Sequence, residues 1–394
     1  MNIAIYTLTS QLHDEQAVAA STREFLTLLG IEYEMKGADY ADYGQSVLSL
    51  IYVRTGGTEG IFKTLLPRLQ KDGGPFHLLT SGTSNSLAAS MEILSYLRQQ
   101  GLSGEILHGT AEYIRRRIGV LERVALAKQQ LRGARLGIIG QPSDWLISSH
   151  ADRDEVRRRL GIELTDIPMD EVLRALPGEV EPGLPGAEKI YEALKRVAGD
   201  NRLQGFTIRC FDLLTAVYNT GCLALARLNS ERLQVSEQSS GMGLVAGCEG
   251  DVPAMLSMMI VRSLTGVSGF QANPARIDPE QGEMTLAHCT IPLDMVERYE
   301  LDTHYESGIG VGIRGYMREG DVTLFKVSGD LRRHFIAEGT LLRNEARPNL
   351  CRTQQVIRLS DPSRMQYFLT DPIGNHHIVV PGHVGALLEE MLKV

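Results

Sequence analysis

Short apolar runs that stop at Gly, Ser or Thr and give way to helix-forming stretches fill the first third of this 394-residue chain. Such runs occur at 3–8, 31–35, 49–57 and 76–82, with helical patterns predicted over 14–29 and 59–71. Strands separated by helices cannot pair as tight hairpins, so a parallel sheet covered by helices is the economical arrangement. This predicts a doubly wound, Rossmann-like domain over residues 1–132.

The pattern restarts at Gly133. A strand and long loop (ARLGIIGQPSDWLISS) precede a predicted helix over 152–160 and a strand at 161–167. The acidic, Pro- and Gly-rich stretch 176–186 reads as a surface loop or flap. Helices over 187–198 and 206–228 then lead into the apolar strand MGLVAGCEGD, giving a second α/β domain over 133–300. Beyond residue 300, short segments separated by Gly, Asp and Pro have the texture of antiparallel strands. The expected fold class is therefore α/β, with two doubly wound Rossmann-like domains followed by a β-rich C-terminal domain over 301–394.

Composition narrows the function. A hydrophobic content of 43% with 22% charged residues suits a packed core. The net charge of -8, with both signs interspersed, lacks the footprint of a nucleic-acid binder. Residues 1–8 read as a first strand rather than a signal peptide, and no apolar stretch approaches the roughly 20 residues of a membrane span. The five scattered cysteines fit reduced thiols, so a cytoplasmic protein without a membrane partner is expected.

Cys248-Glu249-Gly250-Asp251 carries the most chemistry. An apolar strand has no packing reason to end in two carboxylates, and the C-terminal ends of parallel strands are where α/β proteins place ligands. In an extended strand Glu249 and Asp251 would share a face and could converge on one cation; alternatively Asp251 caps the next helix. His288 lies in the apolar run LAHCTIP, and His376-His377 follows Asn375. Hard oxygen donors with one or two imidazoles suit Mn²⁺ or Mg²⁺ better than zinc or copper. Thr55-Gly56-Gly57-Thr58-Glu59 and the run 80–86, which contains Ser84 and Asn85, each follow a strand and open a helix. They could hold an anion there or serve as plain helix caps. Arg54, Arg276 and Arg314 stand near candidate loops and could recognise an anionic group.

Taken together, the CEGD segment, the run His288-Cys289-Thr290-Ile291-Pro292, and Asn375-His376-His377 with the following Gly382-His383-Val384-Gly385 resemble the L-fucose and L-arabinose isomerase superfamily, in particular its shorter fucose isomerase-like members. The early TGGTE and LLTSGTSNSLAASMEIL segments extend the similarity over nearly the whole chain. The resemblance implies a metal-dependent aldose–ketose isomerase working through an enediol on a monosaccharide, which could be deoxy, sulfonated or otherwise anionic. It implies Glu249 and Asp251 as catalytic residues, and Glu249, Asp251, His288, His376 and His377 as the metal-ligand candidates. The metal implied is Mn²⁺, with Mg²⁺ or Co²⁺ as alternatives. Thr55, Glu59, Ser84, Asn85, Trp145, Arg314 and Asn375 are expected to contact the sugar. A trimeric or hexameric homo-oligomer is implied as well.

The chain departs from the family at two places. Where fucose isomerases carry a further Glu, this sequence has Ala224-Leu225-Ala226; where arabinose isomerases carry one, it has Gln271-Ala272-Asn273. Glu231 and Asp278 are the nearest acids that could complete the site. Two other functions share these residues: a non-catalytic sugar-binding homologue, and a metal-dependent lyase or epimerase of a small hydroxy-carbonyl compound.

Overall fold

The first apolar run folds as β1 (Ile3–Leu8), with all six residues buried, in a computed structural model that describes residues 1–70, 74–231 and 243–393. The chain divides into two units, Met1–Gln129 and Gln130–Val394. In the first unit, β1 is followed by α1 (Glu15–Leu29), β2 (Glu34–Gly37), β3 (Leu48–Val53), α2 (Glu59–Leu69), β4 (Phe76–Leu79), α3 (Ser86–Gln99), β5 (Gly104–Leu107) and α4 (Ala111–Leu131). The five strands form a parallel sheet in the order β2-β1-β3-β4-β5. Because side chains alternate along a strand, β1 sends Ala4, Tyr6 and Leu8 into one apolar cluster and Ile3 and Ile5 into another. Burial on both faces is why β1, β3 and β4 read as continuous apolar runs. α1 starts where Asp14 Oδ1 accepts the Ala17 N–H at 2.8 Å and stops at Gly30, which is left-handed.

The second unit begins with another parallel sheet. β6 (Arg135–Ile139), α5 (Arg153–Leu160), β7 (Glu163–Ile167), α6 (Met169–Ala175), α7 (Leu184–Asp200), β8 (Gly205–Ile208), α8 (Asp212–Val217), α9 (Cys222–Ser230) and β9 (Val245–Cys248) follow in sequence. The sheet order is β7-β6-β8-β9. The helix predicted over 206–228 is corrected here. Its first residues form β8 at the centre of the sheet, and Asn219-Thr220-Gly221 separates the two helices that follow. The run Gly205-Phe206-Thr207-Ile208 is too short for its period to show inside a longer apolar stretch. Lys71 and Met242, the ends of two predicted elements, lie outside the described residues.

α10 (Val252–Thr265) is buried along almost its whole length. It precedes β10 (Phe270–Asp278), β11 (Glu283–His288), β12 (Arg298–Asp302), β13 (Gly312–Tyr316), β14 (Gly320–Val327), β15 (His334–Glu345), β16 (Thr353–Leu359), α11 (Met365–Thr370), β17 (His377–Pro381) and α12 (Gly385–Leu392). β12 and β13 form a hairpin. The other strands close an antiparallel barrel in the order β10-β11-β16-β15-β14-β17, with β17 pairing back onto β10. The β-rich texture predicted beyond residue 300 is present, and two barrel strands, β10 and β11, come from before that point. Closure removes the exposed edges that an open antiparallel sheet would leave. Among the described residues, no helix is long and apolar enough to cross a membrane.

Candidate active site

The turn after β9 sets the site. Glu249 has a φ of 63° and Gly250 of 73°, both left-handed, and the Asp251 N–H closes the turn on Cys248 O at 3.2 Å. A left-handed glutamate costs about 1–3 kcal/mol and persists only where its surroundings hold it. Ser143 N–H donates to Glu249 O at 3.0 Å, and Gly250 N–H to Ile208 O at 2.9 Å. Gly250 cannot carry a side chain, since a Cβ there would meet Gln141 O at 2.5 Å and Pro142 Cα at 2.6 Å. The turn therefore corrects the extended geometry expected for this segment, and the two carboxylates do not share a strand face.

Glu249 instead meets two imidazoles. Its Oε1 lies 3.5 Å from His288 Nε2, at the end of β11, and 3.5 Å from His376 Nε2, just before β17. The ligand atoms of these three residues all lie within 4.8 Å of one another. Each ring is held through its other nitrogen: His288 Nδ1 by Thr290 Oγ1 at 3.0 Å, and His376 Nδ1 by Asp251 Oδ2 at 2.8 Å. That is how proteins commonly orient metal-binding histidines. His376 Nε2 is buried and has no hydrogen-bond partner, a costly state that a cation would relieve. One carboxylate and two such nitrogens fit a divalent ion.

Asp251 stands behind His376 rather than in this cluster. Its Oδ1 accepts the Ala254 N–H at 2.8 Å as the cap of α10, so the capping alternative holds. Both its oxygens also face Lys326 Nζ, at 3.3 and 3.4 Å, with both side chains almost wholly buried. Burial pushes Asp251 upward, but Lys326 and His376 more than offset it and hold the carboxyl at about 2. Burial pushes His376 down, and Glu249 and Asp251 outweigh it, lifting the ring to about 9. Burial likewise raises Glu249, yet the two histidines keep it well below the carboxylate range. The cluster is thus built to hold positive charge against Glu249.

His377 is corrected as a ligand. It points away from the cluster into Phe335, Tyr367 and Phe368, with Nε2 2.9 Å from Tyr367 Oη and Nδ1 3.0 Å from Asn375 O. Adjacent residues entering a strand face opposite sides, so only one of the pair can reach Glu249. Burial pushes His377 down to about 3, which keeps it neutral.

Trp145 donates its indole N–H to Glu249 Oε2 at 2.7 Å and packs edge-on against Phe211, which in turn meets His304. Asn375 Nδ2 donates to Asn273 Oδ1 at 3.1 Å. Glu249, His288, Asn273, His304 and Glu306 line a cavity of about 20 Å³, room for one water. Four cysteines, Cys222, Cys248, Cys289 and Cys351, line it as well, and Cys210 Sγ lies 3.1 Å from Cys248 Sγ; all five are free thiols.

The other sequence candidates lie elsewhere. Arg314 is committed to Asp302 at 2.8 Å across the β12–β13 hairpin. Asp278 caps a surface turn, accepting from the backbone of Glu280 and Gln281. Glu231 is bound by Tyr191 and by Lys195 Nζ at 3.0 Å, so neither acid completes the cluster. Gln271, where an acid was expected by resemblance, accepts the Cys248 N–H at 2.9 Å and donates to Cys248 O at 3.3 Å. A carboxylate could do only the first. Thr55, Glu59, Ser84 and Asn85 belong to the first unit. Thr55 is fully buried and its Oγ1 accepts the Ser10 N–H at 2.9 Å, while Ser84 and Asn85 are both left-handed. Ser84 and Arg54 border a cleft of about 270 Å³ within that unit, and Arg54 also binds Thr22 Oγ1 and Glu15. Arg276 is exposed on β10. Sequence reasoning missed Lys326 and Glu306.

Among proteins of known activity, the chain is 21% identical over 338 residues to a sulfoquinovose isomerase of Alkalicoccus urumqiensis, covering 78% of this chain and 74% of that protein. It is 23% identical over 246 residues to the sulfoquinovose isomerase of Priestia megaterium, covering 55% of this chain and 51% of that protein. A sulfoquinovose isomerase from a Clostridium species is 29% identical over 102 residues, 26% of this chain and 20% of that protein. No family model matches the chain.

Proposed function

We propose that this protein is a metal-dependent aldose–ketose isomerase of a sulfonated monosaccharide, with sulfoquinovose as the first substrate to test. The observation that carries the reading is the convergence of Glu249 Oε1 with the Nε2 atoms of His288 and His376, each imidazole held from behind. The relatives named for the same reaction support it.

The ion taken for this set of one carboxylate and two imidazoles, with no thiolate among them, is Mn²⁺, with Mg²⁺ or Co²⁺ as alternatives. When bound, such an ion polarises the carbonyl and hydroxyl oxygens of the open-chain sugar. The protein supplies the rest. Asp251 fixes the ring of His376, and Lys326 keeps Asp251 charged although it is buried. Trp145, itself half exposed, donates to Glu249 Oε2 and orients that carboxylate. A volume of about 20 Å³ cannot take a hexose, so residues lining it must move aside for sugar to reach Glu249. In this reading Trp145 and Asn375 touch the substrate, Trp145 beside Glu249 and Asn375 beside His376. The protein works as a cytoplasmic homo-oligomer in this reading.

A substrate panel tests it. Protein stripped with EDTA and reloaded with Mn²⁺ should convert sulfoquinovose to its 2-ketose, with kcat/KM at least about tenfold above that for glucose or fucose. Equal or better turnover of the unsulfonated sugars would remove the sulfonate from the account, and carbon–carbon cleavage would point to a lyase.

A further inference from the structure

The isomerisation needs a base that stands off the metal cluster. Glu249 is poorly suited: Oε1 faces two imidazoles, Oε2 accepts from Trp145, and a cation beside it would weaken its basicity further. The acids named from the sequence, Glu231 and Asp278, are bound elsewhere. Among the described residues one other carboxylate lines the same cavity as Glu249: Glu306, on the loop 303–311 between β12 and β13.

That loop holds Glu306 firmly. Arg352 Nε donates to Thr303 O at 2.7 Å, His304 N–H to Ile309 O at 3.0 Å, and Gly308 N–H to His304 O at 2.9 Å. His304 is buried, with Nδ1 3.0 Å from Ser307 Oγ. At the far end, Val311 N–H donates to Thr220 Oγ1 at 3.1 Å, and Gly310 lies so close to Thr220 that a Cβ would sit 2.4 Å from its Oγ1. Glu306 itself has neither a hydrogen bond nor an ion pair among the described residues. Glu306 is an exposed residue that also lines the cavity.

We infer that Glu306 is the general base of the isomerisation, carrying the proton between C2 and C1; this rests on the isomerase reading above. Burial and the negative charge of Glu249 both raise its affinity for a proton, as that task requires. In the forward direction the Glu306 carboxylate takes the proton from C2 of the aldose. The C2–H electron pair becomes the C1=C2 bond, and the carbonyl π pair moves onto O1. The protonated carboxyl then returns the proton to C1, the C1=C2 pair forming the new C1–H bond. The O2 proton passes to O1 as C2=O forms, and Glu306 ends as it began.

The test compares wild type, Glu306→Gln and Glu306→Asp, each loaded with Mn²⁺ and given sulfoquinovose in D₂O. Deuterium uptake at carbon, kcat and KM are measured, with Mn²⁺ affinity by calorimetry and melting temperature as further readouts. Glu306→Gln should lose about 10²–10⁴ in kcat and a similar factor in deuterium uptake. KM, Mn²⁺ affinity and melting temperature should stay near wild type, and Glu306→Asp should recover part of the rate. Glu306→Gln within about threefold of wild type would overturn the assignment, as would a matching loss of Mn²⁺ affinity, which would make Glu306 a ligand. Failure of wild type to isomerise any sugar on the panel would instead sink the isomerase reading and this inference with it.

Discussion

Asp251 Oδ2 lies 2.8 Å from His376 Nδ1 with both side chains wholly buried, and this contact decides which nitrogen of the ring faces Glu249. A carboxylate behind the imidazole fixes the ring's orientation and strengthens the far nitrogen, Nε2, as a metal ligand. The site therefore depends on a residue that does not belong to the ligand cluster.

The two adjacent histidines should separate cleanly in experiment. His376→Ala is expected to weaken Mn²⁺ binding by at least tenfold, because it removes one of three donors. His377→Ala should leave Mn²⁺ affinity within about threefold, yet cost on the order of 3 kcal/mol of stability through the cavity left among Phe335, Tyr367 and Phe368. Calorimetry and urea unfolding of both variants check this; loss of Mn²⁺ binding in His377→Ala would contradict it.

Lys326 and Asp251 form a buried ion pair. Removing one partner strands the other charge, so Lys326→Met should destabilise by about 3–5 kcal/mol. Combining it with Asp251→Asn should cost less than the sum of the single changes, since neither charge is then stranded. Urea unfolding of the four proteins measures the coupling, and additive costs would mean that the pair is not formed.

Trp145 is the chain's only tryptophan, and its indole binds Glu249. Its emission therefore reports on the cluster. Titration with Mn²⁺ should change it saturably in wild type and leave it flat in His376→Ala. Unchanged emission at saturating Mn²⁺ in wild type would place the ion away from Glu249.

Much of this was legible in the sequence because the physical signals were local. Alternating strands and helices announce parallel sheets, and Glu249, His288 and His376 stand out as polar residues at one end of an apolar run. Spacing could not say that Glu249 and Gly250 are left-handed, which turns Asp251 away from the cluster and behind His376. Choosing between His376 and His377 needs the direction of the strand face, which depends on what packs on each side. Lys326 left a trace: it follows Val322 and Leu324 at strand spacing, a lysine on an apolar face. Glu306 left none, because an acid in a polar loop looks solvated until the hairpin brings it to the cavity.

Glu105 on β5 gives the first unit an acid-sensitive contact. Arg117 donates to both its oxygens at 2.8 and 3.0 Å, and His77 Nδ1 lies 3.3 Å from Oε1. Burial raises the carboxyl, but His77 and Arg117 outweigh it and hold it at about 2. A depressed native value means the contribution is present above the unfolded value of about 4.3 and is lost as pH falls towards 2. Glu105→Gln should be on the order of 1 kcal/mol less stable at pH 7, with the gap closing between pH 5 and 2. A gap independent of pH would contradict the pairing.

The central claim, that Glu249, His288 and His376 hold the ion that makes sugar isomerisation possible, is met most directly by solvent exchange. EDTA-stripped wild type in D₂O with sulfoquinovose should show no deuterium at carbon. Adding Mn²⁺ should bring deuterium into the sugar and the 2-ketose into solution, with about one ion retained per chain, whereas Glu249→Gln should remain inert and retain less metal. Exchange that proceeds equally well without any ion, or wild type that retains no Mn²⁺, would contradict the account.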